Sequence, residues 1–263
     1  MKEISVLKSR SASIRKNIVR LSYVAQSAHV GSSLSCVEIL NTVFALRESD
    51  SDFASGKMIL SKGHAAMALY GTAHEYGLLP ESNMAEYLKD GTSLWGHPSK
   101  SDKFDFIHWS TGSLGHGLPV TTGFAYSTQK LRGSQARHVC VLSDGELDEG
   151  SNWEAILFAG HHQLSNLVAI IDYNKIQSFG RCKDVLDLDP LKSKFEAFRW
   201  RVAEVDGHNE SEIAQALNAS KLGKGPSVVI AHTIKAKGLV EVEDTVESHY
   251  KPINKDQFER YGQ

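Results

Sequence analysis

The sequence predicts an α/β fold, a mostly parallel sheet with helices on both faces. Five short β-prone runs alternate with helical patterns, as in βαβ units. Two of these runs, VCVL (139–142) and VAII (168–171), are apolar at every position, which is typical of strands covered on both faces. The chain has 263 residues, 41% of them hydrophobic, so it can bury a large core. Because no Pro/Gly-rich linker divides it, we expect one domain over 1–263.

The chain begins with helical patterns and then alternates. Ile14, Ile18 and Leu21 recur at three- and four-residue spacing, which indicates an amphipathic helix. Ser35, with Glu38 three residues later, is the predicted N-cap of a helix with the sequence CVEILNTVFAL. The predicted strands are KMILS (57–61), RHVCVL (137–142), NLVAIID (166–172), WRVAEV (200–205) and SVVIAHT (227–233). Helical patterns between strands are AAMALYGTAHEY (65–76), WEAILFAGHHQL (153–164) and ESEIAQALNASK (210–221).

One segment, 89–119, breaks this alternation. It is rich in Gly, His, Ser and Pro and has no clear period, so we predict a long loop. Long loops in compact domains are usually functional or disordered.

Charge and composition argue against several classes of protein. The net charge of −2 and pI near 6.6 give no electrostatic reason to expect nucleic acid or an anionic membrane as partner. No apolar run approaches the ~20 residues of a membrane span, and the N-terminus lacks the apolar core of a signal peptide. The three cysteines are far apart and suggest neither a disulfide framework nor a metal site. We therefore expect a cytoplasmic protein.

Oxygen-bearing side chains follow two of the predicted strands. Asp144-Gly145 comes directly after VCVLS, and Asn174 follows NLVAIID, 30 positions later (174 − 144 = 30). Ligands of open α/β sheets bind beyond the carboxyl ends of the strands. Carboxylate and amide oxygens suit Mg²⁺ or Ca²⁺, and a Mg²⁺ shell is typically completed by water and phosphate oxygens. This pattern predicts a diphosphate ester held through a divalent ion.

The same acids allow a simpler interpretation. An acid-Gly pair is most often a turn. Glu146, Asp148 and Glu149 could form a solvated helix N-terminus, where the dipole favours negative charge. The combination of strand, acid-Gly, helix, strand and Asn favours the ion site.

These residues also carry a family resemblance. SDGELDEGSNWEA (143–155) with IIDYNKIQ (170–177) resembles the thiamine diphosphate motif, usually written GDG followed at a distance by Asn. The wider pattern is similar to the N-terminal domain of transketolase. Its other motifs occur in the expected order: SKGHAAMALY (61–70), LWGHP (94–98), STGSLGHGL (110–118), VDGH (205–208) and AHTIKAKG (231–238). The resemblance implies the thiamine-diphosphate-binding fold and transfer of a two-carbon ketol unit from a ketose to an aldose, with thiamine diphosphate and Mg²⁺ or Ca²⁺.

The resemblance also implies roles for individual residues. Asp144 and Asn174 would bind the metal through side chains, and Ile176 through its backbone carbonyl. The remaining cofactor contacts would come from His64 and Gly145 at the diphosphate, and from Gly112 and Leu114 near the thiazolium ring.

Three histidines and two glutamates complete the implied site. His29, His97 and His249 would face the sugar hydroxyls, where an imidazole can relay protons near neutral pH. Glu149 and Glu154 match carboxylates that transketolases place at the subunit interface, in a network linking two cofactor sites.

The pyrimidine half of the cofactor needs a second α/β domain, which carries the activating glutamate in this family. Only about thirty residues follow SVVIAHT, too few for a domain of typical size. We therefore expect a separate pyrimidine-binding chain, the C-terminal transketolase subunit, in a two-plus-two heterotetramer that acts on sugars or sugar phosphates. Two alternatives remain open: another thiamine diphosphate enzyme, such as a deoxyxylulose-phosphate synthase or decarboxylase, or a non-catalytic cofactor-binding or regulatory subunit.

Overall fold

The structure, a computed structural model, describes residues 2–262. The strands are β1 (Met58–Leu60), β2 (His138–Ser143), β3 (Leu167–Tyr173), β4 (Arg201–Asp206) and β5 (Ser227–His232). The helices are α1 (Lys2–Ala25), α2 (Val30–Ser35), α3 (Val37–Ser49), α4 (Ser51–Ser55), α5 (Ala66–Glu75), α6 (Glu81–Met84), α7 (Gly117–Tyr126), α8 (Gly150–His161), α9 (Cys182–Val185), α10 (Leu191–Ala197), α11 (Glu210–Ala219), α12 (Glu247–Tyr250) and α13 (Lys255–Tyr261). All five predicted strands are confirmed, to within one residue at each end.

The strands form one parallel sheet in the order β1-β2-β3-β5-β4. Register places Ser143 of β2 beside Asp172 of β3, and Tyr173 of β3 beside His232 of β5. The carboxyl ends of β2, β3 and β5 therefore meet at one edge, directly before Asp144 and Asn174. The predicted α/β class is confirmed.

The sheet has a hydrophobic core on each face. Val139 and Val141 of β2 pack into one core, with α1, α3, α5 and α11, while Cys140 and Leu142 pack into the other, with α7, α8 and α10. Successive strand side chains point to opposite faces. The unbroken apolar runs in the sequence exist because both faces are covered, as predicted.

The predicted loop covers the open edge of β1. In the described chain no helix or strand occurs between α6 and α7. The ring Nδ1 of His108 lies 2.9 Å from the carbonyl oxygen of Met58, and the Thr111 hydroxyl donates to the carbonyl of Leu60 at 2.8 Å. These contacts satisfy strand groups that have no neighbouring strand. They also anchor the segment that carries His97 and Gly112.

The predicted N-cap role of Ser35 is wrong. Ser35 is the last residue of α2, and Cys36 occupies the N-cap position of α3. The Ser35 hydroxyl donates to the carboxylate of Asp172, in the interior of the protein. A tertiary partner thus outcompetes the local capping bond that the S-x-x-E pattern predicts.

After β5 the chain folds back over the carboxyl edge of the sheet. The amide of His29 donates to the carbonyl of His249 at 2.9 Å, which joins the start of α2 to α12. The Tyr23 and Phe258 rings stack with centroids 4.4 Å apart, which docks α13 on α1. No helix in the range 2–262 is long and apolar enough to cross a membrane.

Candidate active site

A cavity of about 310 Å³ lies at the carboxyl ends of the strands, the edge where parallel sheets bind ligands. His97 lies beside it, with its ring centroid 6.1 Å from that of His29. Glu154 lies outside it, on the exposed face of α8, so direct contact with a cofactor in this cavity is not supported. The predicted site residues that line the cavity are His29, His64, Gly112, Leu114, Asp144, Gly145, Glu149, Asn174, Ile176 and His249.

Asp144 is a buried carboxylate held by backbone groups. It begins a 3₁₀ turn, Gly145–Asp148, and accepts hydrogen bonds from the amides of Gly145 (2.7 Å) and Lys175. Its side chain is almost fully buried. Burial, followed by the nearby charge of Asp172, raises the pKa of Asp144 to about 6. The bond to Lys175 ties the ends of β2 and β3 together at this point.

The amide of Asn174 has a defined orientation. Its Oδ1 accepts from the amide of Ile176 at 3.1 Å, and its Nδ2 lies 3.4 Å from both the Ser35 hydroxyl and an Asp172 carboxylate oxygen. If the amide were flipped, its oxygen would lie beside the Asp172 carboxylate and its NH₂ group beside the N–H of Ile176, so both contacts would be repulsive. Lys175 adopts a left-handed backbone conformation (φ 66°), which turns the chain back toward Asp144.

Four histidine rings cluster in and beside the cavity. His29 lies 4.9 Å from His249 and 5.6 Å from His64 between ring centroids. Burial lowers the pKa of all four rings, including His97, and lowers that of His249 to about 3, with the charge of Lys235 as the next cause. All four imidazoles are therefore neutral at pH 7 and can both donate and accept a hydrogen bond.

A buried glutamate positions the loop that carries Leu114. Glu146 accepts from the Gly115 amide at 3.0 Å and from the Ser61 hydroxyl, which joins this loop to the ends of β1 and β2. Gly115 has φ 82°, and a Cβ there would lie 2.6 Å from the Cβ of Glu149. Only glycine fits this position without strain. Glu146 is thus part of the scaffold under the site rather than a solvated helix N-terminus.

Sequence reasoning missed several residues that line the cavity, among them Ser32, Phe179 and Lys235. Lys235 donates to the carbonyl of Ile176 at 2.9 Å and lies 3.2 Å from Nδ1 of His249. Burial, with the charge of Lys62, lowers the pKa of Lys235 to about 8. Ser32, on α2, also lines the cavity. The motif AHTIKAKG contained the signal for Lys235, because a lysine after a buried strand end is a candidate anion ligand.

These residues fit a divalent ion that holds a diphosphate. Asp144, Asn174 and Ile176 supply a carboxylate, an amide and a carbonyl oxygen, all hard ligands that Mg²⁺ or Ca²⁺ accepts. The Ile176 carbonyl has a second lone pair beside its bond to Lys235. This ligand set contains only one acidic side chain. It therefore differs from a cluster of three or more His, Cys, Asp or Glu side chains, and no such cluster that could hold an ion occurs among the described residues. The Lys235 ammonium adds a positive charge for the phosphate oxygens.

Comparisons with known proteins identify the family of the chain. A family model described as transketolase, thiamine diphosphate binding domain, matches residues 10–262. An apulose-4-phosphate transketolase subunit of Actinobacillus succinogenes is 38% identical over 259 residues, covering 96% of this chain and 93% of that protein. Transketolase of Pongo abelii is 35% identical over 263 residues, covering 98% of this chain and 42% of that protein.

Solved structures give the same result. The transketolase structure from Campylobacter jejuni superposes with a TM-score of 0.86 at 26% identity, covering 100% of this chain and 43% of that one. A transketolase structure from Pichia stipitis superposes with a TM-score of 0.88 at 26% identity, covering 98% of this chain and 40% of that one. The predicted thiamine-diphosphate-binding fold is confirmed.

The chain therefore spans nearly all of one relative, itself one subunit of a transketolase, and less than half of the full-length transketolases. The family match extends over almost the whole chain, from residue 10 to residue 262. This chain belongs to the family of transketolase thiamine diphosphate binding domains.

Proposed function

We propose that the chain is the N-terminal subunit of a two-chain, thiamine diphosphate-dependent transketolase. With a separate pyrimidine-binding subunit, it transfers a two-carbon ketol unit from a ketose to an aldose, most simply as sugar phosphates. The observation that supports this most directly is a single cavity lined by Asp144, Asn174, Ile176 and Lys235, in which the Lys235 ammonium lies 2.9 Å from the Ile176 carbonyl oxygen. The similarity to one transketolase subunit over 93% of its length supports the two-chain organisation. A cytoplasmic location is part of the same proposal.

The chain holds the diphosphate end of the cofactor. Asp144, Asn174 and the carbonyl of Ile176 bind Mg²⁺ or Ca²⁺, while His64 and Lys235 donate hydrogen bonds to phosphate oxygens. Gly145 and Gly112 let the backbone approach the ligand, and Leu114 packs near the thiazolium ring. When bound, thiamine diphosphate stabilises the two-carbon carbanion that C–C cleavage leaves.

The histidine cluster handles the sugar hydroxyls. His29, His97 and His249 are neutral because burial lowers their pKa, so each ring offers one N–H donor and one acceptor nitrogen. A neutral ring can orient a hydroxyl and accept its proton as the carbonyl forms or breaks.

Exposed apolar residues support a partner over the mouth of the cavity. Phe179 lines the cavity yet is 84% exposed, and Tyr250 beside it is 55% exposed. An exposed apolar patch on the rim of a binding site is typical of a protein interface. The pyrimidine-binding subunit would cover this rim and place its glutamate above the cavity.

A second surface supports pairing between two copies of this chain. On α8, Leu157 is 58% exposed and Phe158 is 42% exposed, and Glu154 shares this exposed side of the helix. Glu149, at the N-terminal end of the same helix, lines the cavity. An interface here would connect the two cofactor sites through Glu149 and Glu154, in a two-plus-two heterotetramer.

Reconstitution tests the proposal. The chain and its candidate partner, the protein encoded by the adjacent gene, are assayed for ketol transfer with thiamine diphosphate and Mg²⁺. Each protein is assayed alone and in the mixture. We expect activity only in the mixture, and about a 100-fold lower kcat/KM for His97→Ala with cofactor binding retained. His232→Ala, a partly exposed histidine outside the cavity, is the matched control.

Three outcomes would contradict the proposal. Full ketol transfer by this chain alone would exclude the need for a partner. Cofactor binding without transfer from any ketose phosphate would favour the non-catalytic subunit. Turnover of a 2-oxo acid in place of a ketose would favour the decarboxylase or synthase alternative.

A further inference from the structure

Asp172, at the end of β3, is a fully buried carboxylate beneath the cavity. It accepts hydrogen bonds from the Lys62 ammonium and from the hydroxyls of Ser35 and Thr233. Nδ2 of Asn174 lies 3.4 Å from one of its oxygens. These four donors belong to four separate segments of the chain.

Each of those segments carries a cavity residue close to its bond with Asp172. Thr233 lies two positions before Lys235, and Asn174 is itself a predicted metal ligand. Lys62 lies two positions before His64, and the Lys62 ammonium also donates to the carbonyl of Ser32 at 3.0 Å. One carboxylate thus joins the parts of the chain that surround the cofactor cavity.

The ion pair between Lys62 and Asp172 is poorly explained by stability alone. Both side chains are completely buried. Removing two charges from water costs several kcal/mol per ion, and buried pairs can often be replaced by apolar residues without loss of stability. A buried ion pair at this position, directly under the cavity, points to a role in arranging the site.

The contact with Asn174 identifies that role. Nδ2 of Asn174 faces Asp172 and Ser35, so Oδ1 is left to face the amide of Ile176, in the cavity that Asp144 also lines. Partners of metal ligands fix ligand orientation, and changing them typically costs 10–100-fold in metal affinity. The carboxylate of Asp172 touches the ligand without being part of the predicted ligand set.

We propose that Asp172 is a positioning residue for the metal–diphosphate site: with Lys62 it fixes the amide of Asn174 with its oxygen toward the ion and holds the His64 and Lys235 segments around the cavity. The inference rests on the proposed function. It adds two residues, neither of which lines the cavity, to the machinery for cofactor binding.

The test measures Mn²⁺ binding by electron paramagnetic resonance, with thiamine diphosphate present, on the full chain combined with its partner subunit. Asp172→Asn should bind Mn²⁺ at least about 10-fold more weakly than the unaltered chain. Because this variant leaves Lys62 buried without a counter-charge, the double variant Lys62→Met/Asp172→Leu is measured beside it. The double variant removes both charges and the acceptor, and should fold yet show the same weakened Mn²⁺ binding.

Glu210→Gln is the matched control. Glu210 is 2% exposed and accepts from the Ser11 hydroxyl at 2.9 Å, and it does not line the cavity. This variant perturbs a buried carboxylate without touching the site, so its Mn²⁺ affinity should equal that of the unaltered chain.

Each outcome distinguishes the inference from the proposed function. Unchanged Mn²⁺ affinity in a folded double variant would overturn the positioning role of Asp172. Equal weakening in Glu210→Gln would also overturn it, because the effect would then follow from general destabilisation. If the unaltered complex binds neither Mn²⁺ nor thiamine diphosphate, the proposed function fails, and the inference fails with it.

Discussion

Replacing Asp144 by Asn tests whether this carboxylate is placed for a metal ion at a cost in stability. Asp144 is 1% exposed, and burial, with the charge of Asp172 second, raises its pKa from 3.8 to about 6. The folded chain then binds more protons than the unfolded chain between those two values, so stability falls as the pH rises through that window. A rise in pKa of this size corresponds to about 3 kcal/mol in the free energy of unfolding. The metal-free chain loses this stability as the pH rises above about 6.

Asn is uncharged like the protonated carboxyl group, but its NH₂ cannot accept one of the two backbone N–H bonds that Asp144 receives. Without metal, the stability of Asp144→Asn relative to the unaltered chain should therefore rise by about 3 kcal/mol between about pH 4 and about pH 8, from a starting value lowered by the lost hydrogen bond. Urea unfolding with a chelator, at several pH values, measures the difference. In calorimetry the same variant should lose Mg²⁺-dependent binding of thiamine diphosphate.

Two results would refute this reasoning. A metal-free variant whose stability relative to the unaltered chain does not rise between about pH 4 and about pH 8 would mean that burial of the Asp144 charge is not unfavourable. Unchanged Mg²⁺-dependent cofactor affinity would mean that Asp144 is not a metal ligand. Asp184→Asn makes the same chemical change at an exposed site and should alter stability by less than about 0.5 kcal/mol at any pH.

Three further substitutions probe the loop, the cation and the helix surface. Gly115→Ala should destabilise the chain by at least about 1–2 kcal/mol in urea unfolding, because its φ is positive and its Cβ would clash with Glu149. Thiamine diphosphate affinity should decline as the pH rises past about 8, where Lys235 loses its charge, and Lys235→Met should weaken binding and remove this pH dependence in calorimetry. Leu157→Asp should block pairing of two copies, which halves the mass of the complex in sedimentation.

Each substitution has a matched control that should have little effect. Gly123→Ala introduces a Cβ into open space on α7, with ordinary helical backbone. Lys224→Met removes a cation that does not line the cavity, and Leu222→Asp alters an equally apolar side chain that is 87% exposed. Equal effects in a pair would contradict the site-specific explanation for that pair.

The sheet, and the edge of the sheet at which a ligand binds, could be predicted from the sequence because both depend on local patterns. A strand covered on both faces must be apolar at successive positions, as in VCVL and VAII, and parallel strands bring their carboxyl ends to one edge. Asp144 and Asn174 directly follow two such strands, so their approach follows from topology alone. The resemblance to transketolase motifs then extended the predicted site to the histidines.

The sequence by itself thus determined the fold class, the five strands and most of the residues around the cavity. Hydrophobic periodicity and the positions of strand ends depend on residues that are close together in the sequence. Only the tertiary structure decided that Ser35 bonds Asp172 instead of capping α3, that Lys235 reaches the Ile176 carbonyl, and that Lys62 is buried against Asp172. These partners lie 59 to 137 positions apart (235 − 176 = 59; 172 − 35 = 137). Packing of the whole sheet and its helices selects them, and no local pattern encodes the choice.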